Sequence, residues 1–91
     1  MFKFDISIKL EKKLNKFSKK DKILANIFKK KLFKVIDNTN KTITRYKNLK
    51  APRNDLKRIH LTDNYILLFR VDITHNHILF LNIIHRDYAY S

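Results

Sequence analysis

Two histidines in the C-terminal half of this chain each lie close to a carboxylate, His60 three residues before Asp63 and His85 two residues before Asp87. An imidazole titrates near neutrality, so it can both take and give a proton, and a neighbouring carboxylate can orient or tune it. Cations surround both positions: Arg45, Lys47, Lys50, Arg53, Lys57 and Arg58 upstream, and Arg86 beside His85. Such groups bind phosphate and stabilise charge that develops during phosphate chemistry. Tyr90 adds a ring able to stack on a base or donate a hydrogen bond. His75 and His77 form a His-x-His pair, but two ligands on a turn without a third make a weak metal site, and none is expected.

The whole chain is strongly basic, with a formal net charge of +13 over 91 residues. Sixteen Lys and Arg stand against four acidic residues in 1–50, whereas five stand against four in 51–91. That field attracts phosphate backbones or acidic partners, although many lysines need do no more than keep a helical surface solvated. Lysines 22, 29, 30, 31 and 34 are of that kind. With no cysteine there is neither a disulfide framework nor a thiolate site, which fits a reducing, cytoplasmic setting. Lys3, Asp5 and Lys9 interrupt the first ten residues, so they do not read as a signal peptide, and the apolar run 78–81 is far too short for a membrane span. A single domain over residues 1–91 is expected.

The elements that must carry these side chains follow from periodicity. Phe2, Phe4 and Ile6 alternate with polar residues, as in a strand. Leu10, Leu14 and Phe17 recur at helical spacing, and Ser18 followed by Asp21 resembles the cap of a second helix over about 19–36. Its apolar stripe is Ile23, Leu24, Ile27, Phe28, Leu32, Val35 and Ile36. Asp37-Asn38-Thr39-Asn40 ends it, and residues 41–55 read as an irregular basic loop. Three strands follow at 56–61, 65–72 and 77–84, joined by turns short enough for an antiparallel meander. Since the chain has no glycine, Asn and Asp must occupy turn positions with positive φ. The expected architecture is α+β: β-α-α-β-β-β, with a four-stranded, largely antiparallel sheet and two helices on one face. Strand parity then turns Arg58 and His60 away from the helices, and His60, His85, Asp87 and Tyr90 are expected around that one open face.

This order, with Arg45-Tyr46-Lys47-Asn48-Leu49-Lys50, Leu56-Lys57-Arg58-Ile59-His60-Leu61, Tyr65-Ile66-Leu67-Leu68-Phe69-Arg70-Val71 and the ending His85-Arg86-Asp87-x-x-Tyr90, resembles the RelE/ParE superfamily of toxin–antitoxin toxins. Ile66 stands where RelE-type toxins carry an arginine, whereas His60 and His85 match two histidines of the YafQ-like branch. The acid after the first histidine is matched by Asp63, or by Asn64 if the turn aligns one residue later, and a further upstream histidine has no equivalent in 41–55. The resemblance implies a metal- and cofactor-independent endoribonuclease, acting on mRNA at the ribosome and held inactive by an antitoxin. His85 would be general acid and His60 base or phosphate ligand, with Asp63 or Asp87 holding an imidazole. The alternatives are a non-catalytic nucleic-acid-binding module and a ParE-like toxin directed at gyrase.

Overall fold

A computed structural model describes residues 1–48 and 55–89 of the chain. Strand β1 (Lys3–Ile6) leads into helices α1 (Ile8–Lys20) and α2 (Lys22–Ile36), then a 3-10 turn (Thr42–Arg45). Strands β2 (Lys57–His60), β3 (Tyr65–Asp72) and β4 (His77–His85) follow, and a four-residue helix α3 (Arg86–Ala89) closes the described part. The sheet order is β1-β4-β3-β2, with β4 antiparallel to β3 and β3 to β2, as the short turns require. β1 reaches β4 only after the whole helical excursion, and it pairs parallel to it, Phe4 opposite Ile78 and Ile6 opposite Phe80. The sheet is therefore mixed at one edge. No described helix is long and apolar enough to cross a membrane.

Ser18 does not cap the second helix, because α1 runs through it and its hydroxyl donates to the Asn15 carbonyl. The break falls instead at Asp21. Its carboxylate accepts from the Leu24 N–H at 3.0 Å, satisfying one of the donors a helix start leaves open. Of the α2 stripe, Leu24, Phe28, Leu32, Val35 and Ile36 are buried and Ile27 partly so, but Ile23 is 75% exposed. Within the expected loop, Ile43 of the 3-10 turn is fully buried and Asn48 pairs with Lys57. At the β3–β4 hairpin, Asn76 takes φ 52°, the left-handed conformation for which no glycine is available.

The main core lies between the helices and one face of the sheet. Leu67 and Phe69 of β3 and Ile78, Phe80 and Ile83 of β4 meet Leu10 of α1 and the buried row of α2. Phe80 is its hub, with the rings of Phe4, Phe28 and Phe69 at 6.0, 6.5 and 5.9 Å between centroids. The opposite face is not bare. Ile66 and Leu68 pack there with Leu56, Leu81 and Ile84 in a second, smaller apolar cluster.

One irregularity sets the phase of β4. Phe69 pairs with Phe80, but Leu68 pairs with Asn82, so Leu81 is an extra residue in the strand. Before this bulge Ile78 and Phe80 point at the helices; after it Ile83 and His85 do. Without it, two-residue parity would send His85 to the other face.

β1 stops pairing at Phe80, and side chains of α1 and its cap complete the exposed edge of β4 beyond it. The Ser7 N–H donates to the Phe80 carbonyl at 2.9 Å, and the Ser7 hydroxyl donates to the carbonyl of Leu81 at 2.6 Å. The same hydroxyl oxygen caps α1 by accepting from the Leu10 N–H. Two residues on, the Lys13 ammonium donates to the Ile83 carbonyl at 2.8 Å. Ser7→Ala removes a helix cap and an edge hydrogen bond together, each worth about 1 kcal/mol. Urea unfolding is expected to show a loss of roughly 2 kcal/mol on the same magnitudes; a loss close to zero would contradict this role for Ser7.

Candidate functional site

Several of the sequence-nominated residues fall into two clusters at one end of the sheet. The first is a shallow groove of about 390 Å³ on the outer side of β2, lined by Arg45, Tyr46, Lys47, Arg58, Ile59 and His60. The backbone makes it: the Arg58 N–H donates to the Lys47 carbonyl at 2.9 Å, drawing the segment after the 3-10 turn alongside β2. Tyr46 anchors that segment, its ring edge-on to Phe69 at 5.5 Å and its hydroxyl accepting from the Asn38 amide. Lys57 completes the anchor by donating to the Tyr46 carbonyl (3.1 Å) and to the Asn48 side chain (3.0 Å). Two of its three N–H donors thus hold the loop rather than face a ligand. Arg58 pairs with Leu68 and His60 with Ile66, so both project from the face away from the helices, as parity requires.

The second cluster is a cleft of about 360 Å³ at the C-terminal end of β4, lined by Lys13, Lys16, Phe17, Tyr65, Ile83, Ile84, His85 and Tyr88. Its aromatic wall is continuous. Phe17 stands edge-on to Tyr65 at 6.3 Å, Tyr65 to His85 at 5.7 Å, and His85 to Tyr88 at 6.5 Å. α3 holds the imidazole from below through one ring nitrogen. His85 Nδ1 lies 3.3 Å from the Asp87 N–H and 3.4 Å from the Asp87 carboxylate. The first contact needs a bare Nδ1 and the second a protonated one, so they belong to different tautomeric or protonation states of the ring.

His60 and His85 are not brought to one face. His85 pairs with Tyr65 and turns toward α1, whereas His60 turns the other way, two strand spacings or roughly 10 Å along the sheet. The β4 bulge is the reason: it reverses the parity on which a shared face depends. Of the two acids, Asp87 contacts a site histidine, whereas Asp63 is exposed in the turn before β3. That turn is fixed by the Thr62 hydroxyl, which accepts from the N–H groups of Asn64 and Tyr65, and by the Arg86 N–H, which donates to the Asn64 carbonyl. The Arg86 side chain lies 3.9 Å from Asp87. Lys50, Arg53 and Tyr90 lie outside the described residues.

The His-x-His pair is divided between two carboxylates, His75 on Asp72 and His77 on Asp5, both at 2.7 Å. The hydrogen bond from His75 holds the Asp72 carboxyl below its usual range. Among the described residues no group of three or more His, Cys, Asp or Glu could hold a metal ion.

No protein-family model matches the chain. It is, however, 34% identical over 91 residues to the toxin candidate RelE4 of Methanocaldococcus jannaschii, covering 100% of this chain and 93% of that protein. The chain belongs to the RelE family of toxin–antitoxin toxins. An uncharacterised protein of Methanosarcina mazei is 33% identical over 90 residues, covering 99% and 100% of the two chains. In fold, this RelE-family chain superposes on crystal structures of E. coli YafQ (TM-score 0.74, 16% identity, all of both chains) and of a metal-bound Helicobacter pylori toxin (TM-score 0.74, 18% identity, 97% and 98%).

Sequence reasoning misses Lys13, Lys16 and Tyr88 of the RelE-family cleft. Lys13 had a signal: with Leu10, Leu14 and Phe17 it occupies the i, i+3, i+4, i+7 stripe by which α1 meets the sheet. Burial against the β4 edge, with the Lys9 ammonium nearby, holds the Lys13 pKa below its solvated value of 10.5. The unfolded chain therefore keeps this proton to higher pH than the folded one. Lys13 should make stability rise with pH through the alkaline range, the rise ending near 10.5. Subtracting the stability curve of Lys13→Met from that of the wild type isolates this rise; parallel curves would contradict it.

Proposed function

We propose that this RelE-family chain is an mRNA endoribonuclease whose proton donor is His85. Attack of a ribose 2′-oxygen on the adjacent phosphorus, its proton passing to solvent water, forms a 2′,3′-cyclic phosphate and expels the 5′-oxygen of the next nucleotide, which needs a proton as it leaves. The observation that carries the reading is the clamp on Nδ1. Asp87 contacts His85 Nδ1 through its backbone N–H and its carboxylate, which orients the ring and leaves Nε2 outside that contact, the nitrogen from which an imidazolium would deliver its proton. Metal-independent chemistry of this kind needs only positioned acids, bases and cations.

The groove along the free edge of β2 then acts as a grip. His60, Arg58, Arg45 and Lys47 line one depression, a composition suited to phosphate oxygens. Its separation from His85 favours phosphate binding over the base of the same step as the role of His60. The excess charge of the helical half steers RNA and ribosome toward the protein. A cognate antitoxin would form a hetero-oligomer with it, laying acidic side chains against the helix lysines. A groove of about 580 Å³ between α1, α2 and β1, lined by Phe4, Leu14, Phe28, Leu32 and Phe33 among others, offers such a partner apolar anchorage. Action on translating mRNA in the cytoplasm follows from the family resemblance.

The test is translation-coupled mRNA cleavage. His85→Ala should lower the rate on the order of 10²–10⁴-fold while RNA is still bound. His60→Ala should weaken RNA binding and flatten its salt dependence. Undiminished cleavage in both variants would remove the proposed site. Salt-sensitive binding without any product from the wild type would favour a non-catalytic RNA-binding module instead.

A further inference from the structure

The His85 cleft contains more than a proton donor requires. Lys13 and Lys16 stand one helical turn apart on α1 and both line it, facing a wall of Phe17, Tyr65, His85 and Tyr88. An ammonium carries three donors. The Ile83 carbonyl takes one from Lys13 at 2.8 Å, which fixes the nitrogen at the strand edge and leaves two donors for a ligand. The side chain is thus ordered before anything binds, so little entropy remains to be lost.

We propose that this cleft is a nucleotide subsite for single-stranded RNA, in which Lys13 and Lys16 hold a backbone phosphate and Tyr65 and Tyr88 flank the base attached to it. The inference rests on the RNA reading above and adds the residues that would seat a nucleotide beside His85. A nucleotide matches the whole lining: its phosphate needs fixed cations, and its base needs rings. A carboxylate from an acidic peptide would satisfy the lysines and leave the aromatic wall unused. The volume, about 360 Å³, lies within the range of small-ligand pockets. The groove carrying His60 and the cleft carrying His85 flank the same turn, residues 62–64, so one RNA strand rounding that turn could occupy both. On this account the two faces separated by the β4 bulge serve successive nucleotides of one substrate.

The experiment is an NMR titration of the full chain with a 2′-O-methylated RNA tetranucleotide, which binds but cannot be cut. Lys13, Lys16, Tyr65, His85 and Tyr88 resonances should shift together. Lys16→Gln should weaken binding on the order of fivefold at 0.1 M salt, and its log–log salt slope should fall by about 0.7. Tyr88→Ala should cost roughly tenfold. Both side chains are exposed, so these variants keep the fold. Lys13→Gln should weaken binding and Lys13→Arg restore it, with thermal unfolding as the control for the lost edge contact. Shifts confined to Arg45, Lys47, Arg58 and His60, or unchanged affinity in Lys16→Gln and Tyr88→Ala, would overturn the subsite. So would a glutamate-rich peptide that shifts the cleft when the oligonucleotide does not. Because the probe is uncleavable, the two readings fail separately. Cleft binding without cleavage of natural mRNA removes the nuclease, and cleavage without cleft binding removes the subsite.

Discussion

One extra residue in β4 decides which way the end of the molecule faces. Leu81 sits between the Phe69–Phe80 and Leu68–Asn82 pairs, and it turns the strand's inward set from Ile78 and Phe80 to Ile83 and His85. Ile83 thereby enters the main core. Leu81 and Ile84 join Ile66 and Leu68 in the smaller cluster on the other face. His85 comes to lie against Tyr65 and the aromatic end of α1. Had the alternation continued unbroken, Ile83 would leave the core, and His85 would share a face with His60.

Beyond the end of β1 the bulged β4 has no strand on that side to pair its carbonyls, and unpaired backbone groups near a core are costly. Here the first helix supplies the partners. Ser7 joins three elements with one side chain, capping α1 while donating to the Leu81 carbonyl, as its backbone extends β1 onto Phe80. Lys13 then reaches the Ile83 carbonyl. The arrangement that holds the strand is also the one that brings ammonium groups to the His85 cleft.

Much of this was legible in the residues. Period-two and helical spacing place every strand and both long helices, and the parity of Arg58 and His60 holds because β2 is regular. The parallel pairing of β1 with β4 is not written in alternation, which says which side chains turn inward and not which strand lies alongside. The bulge left only a faint trace, since Asn82-Ile83-Ile84 breaks the alternation with a residue poorly suited to strands. Two caps within four residues, Ser18 and Asp21, compete on paper; packing continues α1 past Ser18, so Asp21 begins α2. Lys13 reads as one lysine among many until its place on an apolar stripe is weighed against its charge.

In the proposed reaction His85, held by Asp87, protonates an oxygen expelled by a ribose 2′-hydroxyl. The most direct measurement of that reaction is the chemical identity of the RNA ends, made on translation-coupled cleavage of an mRNA labelled at either side of the cut. Attack by the 2′-oxygen leaves a 2′,3′-cyclic phosphate (or the 3′-phosphate from its opening) on one fragment and a 5′-hydroxyl on the other. A single 2′-deoxy substitution at the cut should abolish it. Fragments ending in a 3′-hydroxyl and a 5′-phosphate, or cleavage that survives the deoxy substitution, would rule that reaction out.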